Sequence, residues 1–256
     1  MSVLTYLQRR SSDAVLSSNE KTSINTSIST LKTRLDGYFG SGLSTHFTFG
    51  SYTRDTILPR SMDGHSDIDY MVVFADGGYQ PQTYLDRLKR FVEAKYQTSE
   101  LYQSSPTIVL ELNHIKFELV PALNNWSSGY QIPNGSGGWQ QTNPNDFNST
   151  LTAKNTEAGY HLKPAIRLAK FWNAQNGYVF DSYQFEKWIV EQYYWNCLNQ
   201  RDYLFSIFEK LGLPTDTMWR KDKVQRAKDI IAAVKKYEAD AMPVTAESEI
   251  KKLIPE

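Results

Sequence analysis

Asp67 and Asp69 stand one residue apart in the stretch Ser66-Asp67-Ile68-Asp69-Tyr70, and Met71, Val72, Val73 and Phe74 follow. So apolar a run reads as a buried strand, and on a strand alternate side chains share a face. Both carboxylates then point one way while Ile68 points into the core. Two like charges this close repel, so the arrangement asks for a cation between them. A hard divalent cation such as Mg²⁺ takes oxygen ligands, commonly one or two carboxylates together with substrate phosphates. The competing reading of an isolated D-x-D is a pair of loop carboxylates held by ordinary hydrogen bonds.

The surroundings favour the cation. Gly50-Ser51 follows an alternating stretch and precedes Thr53-Arg54-Asp55. A Gly-Ser turn at the start of a helix offers backbone N–H groups, a hydroxyl and a positive dipole end to a phosphate. Gly50 lets the backbone approach closely. Arg54 adds a nearby cation, or else forms a structural ion pair with Asp55 or Asp63. A phosphate cradle beside a metal pair is the layout phosphoryl transfer needs. Two metals usually require a third carboxylate. In the run Ile115-Lys116-Phe117-Glu118-Leu119-Val120, Glu118 is turned away from the apolar set Ile115, Phe117 and Leu119. Glu111, on the preceding run, competes for this place, and a solvated strand face is the alternative for Glu118. Further along, Lys163, Arg167 and Lys170 recur at helical spacing as a basic stripe. Such a stripe serves either as a solvated face or as a partner for phosphates.

The elements that must position these residues are legible as an α+β pattern. Residues 18–38 read as a helix, capped by Ser18 or Asn19, with Ile24, Ile28, Leu31 and Leu35 on one side. Strands are expected at 44–49 and 66–74, and a helix over 84–96. Two β-rich runs, 106–112 and 115–120, meet at Asn113-His114 as a hairpin. Residues 124–149 are rich in Gly, Asn and Ser and read as one long loop. Beyond it the pattern is helical, with segments at 146–157, 161–176, 182–198, 201–211, 221–240 and 245–253. Phe185, Trp188, Ile189 and Tyr193 are the expected core face of the third of these. The chain is expected to divide into residues 1–145, a core of mixed sheet and helices, and residues 146–256, a helical lobe.

Bulk properties set limits. The 256 residues carry 28 Lys plus Arg against 28 Asp plus Glu, a formal net charge of zero. That weighs against stable nucleic-acid binding through bulk charge, while leaving room for a local basic groove. One cysteine, Cys197, rules out an intrachain disulfide or a cysteine-rich zinc site. The four histidines, His46, His65, His114 and His161, have no metal-ligand spacing. The first residues carry no signal-like apolar run. No stretch approaches the roughly 20 apolar residues of a membrane span. The expectation is a soluble, cytoplasmic protein.

These residues also carry a resemblance. Gly50-Ser51-Tyr52-Thr53-Arg54, Ser66-Asp67-Ile68-Asp69-Tyr70 and Phe117-Glu118-Leu119-Val120-Pro121-Ala122 resemble the motifs of the DNA polymerase β-like nucleotidyltransferase superfamily. Within it the chain looks most like the bacterial cyclic-oligonucleotide synthases, the CD-NTases of CBASS-type defence. These are related to oligoadenylate synthase and cyclic GMP–AMP synthase. The stretches 162–173 and 181–186 extend the likeness, which covers roughly residues 18–200. It implies a polymerase β-like core with a small mixed sheet and a C-terminal helical lobe, braced by the N-terminal helix. Asp67, Asp69 and Glu118 would be catalytic and would hold two Mg²⁺, with Mn²⁺ possible. Glu118 would also sit near the attacking hydroxyl. Gly50, Ser51, Arg54, Lys170, Ser182 and Tyr183 would bind nucleotide, Tyr183 by stacking on a base; Ser182 equally suits a helix N-cap.

The implied activity joins nucleoside triphosphates into a cyclic di- or trinucleotide, releasing pyrophosphate. The product would activate a separate effector in antiphage defence. The alternatives are transfer to a protein or RNA acceptor, or nucleotide sensing without catalysis. The loop between Ser51 and Asp67, with Pro59 and the polar stretch 61–66, departs from the family pattern, and so do two single positions. Asp55 stands where Gly is frequent, and Glu118 where Asp is frequent.

Overall fold

The computed structural model describes residues 2–104, 106–125, 129–144, 146–214 and 216–256. Two compact units emerge: residues 17–60 with 64–148, and residues 1–16 with 61–63 and 149–256.

The first unit is built on a seven-stranded mixed sheet. Its strands are β1 (Leu43–Phe49), β2 (Asp67–Phe74), β3 (Glu100–Ser104), β4 (Thr107–Glu111), β5 (Lys116–Asn125), β6 (Gly129–Pro133) and β7 (Trp139–Thr142). The path is β1-β2-β5-β4-β3, with β6 pairing β5 and β7 pairing β6. Among the described residues only β2 and β5 run parallel, from Asp67 opposite Lys116 to Phe74 opposite Leu123. The hairpin read at Asn113-His114 forms, as β4 pairs antiparallel with β5.

Period-two alternation gives β2 two unlike faces. Ile68, Tyr70, Val72 and Phe74 lie on one and are buried. Helix α2 (Ser18–Phe39) and helix α4 (Pro81–Lys95) contribute Ile24, Leu31 and Leu35, and Tyr84, Leu85, Leu88, Phe91 and Val92, as their buried residues. The other face starts with Asp67 and Asp69 and continues as Met71 and Val73. There Phe47, Phe49, Tyr130 and Ile132 pack over Met71, Val73 and Ala122. The acids therefore sit at the open end of a face that is apolar further along.

The sequence reading needs four corrections in the first unit and its flanks. The N-cap of α2 is Ser17, not Ser18 or Asn19. Its side chain accepts from Glu20 N while Glu20 returns a bond to the Ser17 N–H, a full capping box. The one-turn helix α3 (Gly50–Thr53) begins at Gly50 itself. Strand β3 occupies residues left unassigned. The supposed loop 124–149 carries the β6–β7 hairpin, turned by Asn134, whose Oδ1 accepts from Ser136 N and Gly138 N at 2.9 Å each. Residues 126–128 and 145 of that segment lie outside the described residues.

The second unit is helical: α1 (Val3–Asp13), α5 (Asp146–Glu157, from residue 149 on), α6 (Leu162–Gln175), α7 (Ser182–Glu191), α8 (Gln200–Lys210), α9 (Met218–Ala239) and α10 (Pro243–Ile250). Helix α1, unassigned from sequence, is integral to it. Tyr6 Oη donates to Ile254 O at 2.6 Å, Arg10 Nε to Pro255 O at 3.0 Å and Gln200 Nε2 to Leu7 O at 3.2 Å. Helix α7 stops at Glu191 instead of running to 198. Gln192 Nε2 and Tyr194 Oη donate to Trp188 O and Ile189 O, which satisfies carbonyls the helix end leaves open. With the helix ended, Tyr193 is 71% exposed and is not core, and Trp188 is half-buried. No helix among the described residues is long and apolar enough to cross a membrane.

Candidate active site

Parallel pairing of β2 with β5 decides which acids meet. Asp69 is the register partner of Glu118, and Asp67 that of Lys116. Neighbouring strands lie about 4.8 Å apart, so Asp67, Asp69, Lys116 and Glu118 share one face of a two-strand step. Lys116 Nζ lies 3.2 Å from Asp67 Oδ2 and 3.1 Å from Glu118 Oε1. Glu111 is engaged elsewhere, since Arg60 Nη2 donates to its Oε1 at 2.8 Å. Of the two candidates for the third acid, the structure brings Glu118 to the aspartates.

Gly50 closes the site from the side of β1. Its φ is +75°, and a Cβ there would stand 1.8 Å from Asp69 Oδ2 and 2.6 Å from Asp69 Cγ. Only glycine permits both the left-handed backbone and this approach. The turn after it is closed by Thr56 N and Ile57 N donating to Ser51 O at 3.0 and 3.2 Å. Thr53 Oγ1 donates to Gly50 O and accepts from Asn148 Nδ2. Arg54 is buried, with its guanidinium 5.1 Å from the Phe147 ring centroid. That packing gives Arg54 a structural task in the turn. Asp55 has φ +56°, a left-handed conformation in which glycine is easiest and Asp tolerable. The departure from the family pattern at this position thus keeps the backbone shape.

The electrostatics follow from the geometry. Burial, and then the nearby Glu118 carboxylate, push Asp67 up to about 6, against the lowering effect of Lys116. Burial pulls Lys116 down, but Asp67 and Glu118 outweigh it, so its ammonium is held more firmly than usual. Among the described residues no group of three His, Cys, Asp or Glu side chains is gathered as a metal cluster. The backbone register is right for one, but the Lys116 ammonium spans Asp67 and Glu118. The donors fit a hard divalent cation all the same. They are carboxylate oxygens only, and one ammonium leaves three carboxylates with an excess of negative charge.

The remaining nucleotide-binding candidates belong to the helical unit. Lys170 is buried, with Nζ 3.9 Å from Oε2 of the buried Glu186. Lys163 and Arg167 are half-buried, so the stripe is not a solvated face. The N-cap of α7 is Asp181, whose Oδ1 accepts from Gln184 N at 2.8 Å. Ser182 is therefore the first helical residue and leaves the cap to its neighbour. Tyr183 is exposed. Asn173, assigned no task from sequence, shapes the segment before α7. Its Nδ2 donates to Phe180 O at 2.8 Å and its Oδ1 accepts from Phe180 N at 3.0 Å. Lys116 was missed as well; its spacing of two from Glu118 is the signal that would have found it.

Residues 1–155 match the family described as the Second Messenger Oligonucleotide or Dinucleotide Synthetase (SMODS) domain. The chain belongs to this family. A probable cyclic nucleotide synthase from Bacillus cereus (strain VD146) is 27% identical to the SMODS chain over 206 residues. The match takes in 64% of this chain and 60% of the relative, so the chain spans about 60% of the length of the curated relative it matches. Among solved structures, CdnC of E. coli MS115-1 with ATP superposes with a TM-score of 0.73 at 17% identity, covering 99% of this chain and 98% of that one. The Bradyrhizobium diazoefficiens CD-NTase CdnG in complex with GTP gives 0.71 at 10% identity, with 97% of both chains covered. The STING-associated c-di-GMP synthase CdnE from Capnocytophaga granulosa gives 0.66 at 14% identity, covering 87% of this chain and 83% of that one. The fold is that of the polymerase β-like CD-NTases.

Proposed function

We propose that this SMODS chain joins nucleoside triphosphates through phosphodiester bonds and closes the product into a cyclic di- or trinucleotide messenger. The observation that carries the reading is the register of Asp69 with Glu118, with Asp67 on the same face and Gly50 pressed against Asp69. In the reaction a ribose hydroxyl oxygen bonds to the α-phosphorus of a second nucleotide. The bond from that phosphorus to the pyrophosphate oxygen breaks, and the hydroxyl proton departs.

Asp67, Asp69 and Glu118 are the residues that would hold divalent cations, two Mg²⁺ or Mn²⁺ in their place. Such ions neutralise charge on the polyphosphate. Glu118, beside the attacking hydroxyl, accepts the proton or passes it to water. The Gly50-Ser51 turn cradles phosphate with its N–H groups and hydroxyl, and buried Arg54 stiffens that turn. Lys170 and Ser182 are assigned to the terminal phosphates, and Tyr183 to a base face, on the strength of the family pattern. Relatives whose structures contain ATP and GTP support nucleoside triphosphates as substrates. We place the protein in the cytoplasm, in antiphage defence, with its product activating a separate effector protein.

The test is incubation of the full chain with the four nucleoside triphosphates and Mg²⁺ or Mn²⁺, followed by mass analysis. A cyclic product and pyrophosphate are expected. Asp67→Asn and Asp69→Asn should each lower the rate at least about a hundredfold with the fold retained. Unreacted triphosphates under both metals would overturn the reading. Label arriving on protein or RNA would redirect it to a macromolecular acceptor.

A further inference from the structure

The Lys116 side chain joins carboxylates of two different strands. Its ammonium is 3.2 Å from Asp67 on β2 and 3.1 Å from Glu118 on its own strand, β5. The Lys116 side chain is only 13% exposed, and the two carboxylates are 27% and 24% exposed. This is a semi-buried pairing at a site whose other members are acids. Without Lys116, Asp67 and Glu118 would face each other uncompensated. With it, they are tied together by a group that lies where a cation bound by both would have to lie.

We infer that Lys116 is an internal counter-ion that occupies the metal-binding carboxylates and competes with divalent cations for them. The inference rests on the reading of Asp67, Asp69 and Glu118 as metal ligands. A lysine suits this task. Its ammonium is a compact point charge on a flexible stem, able to withdraw without disturbing the strand. An arginine would grip carboxylate bidentately and would yield less readily. The consequence is a site held together in the absence of metal, whose apparent metal affinity is lowered by the fraction of time the ammonium is seated.

The test is Mn²⁺ binding to the full chain without nucleotide, read from the EPR signal of free aqua-Mn²⁺. Lys116→Met removes the competing ammonium while keeping an unbranched side chain only one atom shorter. It should bind Mn²⁺ about five- to tenfold tighter than the unaltered protein. Lys116→Gln should move the same way, and Lys116→Arg should bind no tighter than the unaltered protein. Thermal unfolding supplies the second readout. In EDTA the Met variant should melt below the unaltered protein, and added Mn²⁺ should narrow the gap.

Equal or weaker Mn²⁺ binding by both the Met and Gln variants would overturn the inference. So would tighter binding by the Arg variant. The control separates the two levels. If the unaltered protein takes up Mn²⁺ with ATP and Asp67→Asn does not, the ligand assignment stands and only the role of Lys116 falls. If neither takes up Mn²⁺ with ATP, the metal reading falls and the role of Lys116 with it.

Discussion

At the scale of single residues, Asp67 makes the site pH-sensitive in a direction opposite to that of an ordinary paired carboxylate. Its pKa in the folded chain is about 6 against 3.8 for an unperturbed group, through burial and then through Glu118. The folded state therefore holds this proton more tightly than the unfolded state. Below pH about 4 both states are protonated and the group contributes nothing. Between about 4 and 6 the unfolded state releases this proton while the folded state still holds it, so stability falls by roughly 1–3 kcal/mol as the pH rises. Urea unfolding in EDTA should show that decline, and Asp67→Asn should flatten it; an equal slope in the variant would refute the assignment. The neighbouring turn makes a second expectation. Gly50→Ala places a Cβ against Asp69 at a left-handed φ and should lose roughly 2 kcal/mol or more along with activity. Asp55→Gly should be neutral or stabilising by up to about 1 kcal/mol, with activity kept, because φ there is already +56°. Thermal melts with rate assays check both. The acids were legible in the sequence because alternation assigns each a face. The meeting of Lys116 with Asp67 across the strands and the shape at Asp55 were not, since strand register and φ belong to the folded chain.

At the scale of elements, strong periodicity carried most of the reading. β2, β4 and α6 have apolar patterns that the structure forms close to their expected bounds, whereas β5 runs on to Asn125, past the expected end at 120, and α4 starts at Pro81, ahead of the expected start at 84. The misses share a cause. The β6 and β7 strands are short, set among Gly, Asn and Ser, and exist because β5 offers an open edge and Met71 and Val73 accept Tyr130 and Ile132. Nothing local announces such support. The end of α7 likewise depends on Gln192 and Tyr194 side chains reaching back to its carbonyls. The start of α2, by contrast, was readable. Ser17 and Glu20 have capping-box spacing, whereas Ser18 or Asn19, the expected caps, lie one and two residues further on. Ser17→Ala should cost about 1 kcal/mol, a fall in Tm of roughly 2–4 °C for a chain of this size. Glu20→Ala should cost a similar amount. Because the two side chains satisfy one shared pair of bonds, the double variant should cost less than the sum. Full additivity would mean the box does not act as a unit.

At the scale of the whole chain, the two compact units do not follow sequence order. Residues 1–16 cluster with residues 149–256 in the helical unit. This non-local closure is why α1 escaped the sequence reading: its buried face is defined by partners about 190 to 250 residues away. Tyr6 and Leu7 are fully buried, and their links run to Ile254 O and from Gln200 Nε2. If α1 is a structural member of this unit, a defect in it must be felt at those partners. Leu7→Ala removes a fully buried side chain and should cost about 2–5 kcal/mol. Hydrogen exchange measured by mass spectrometry should then rise in α8 around Gln200–Phe208 and in residues 250–254, along with α1 itself, since opening free energies within one cooperative unit fall together. A rise limited to residues 3–13 would mean that α1 frays alone, and that the helical unit closes without it.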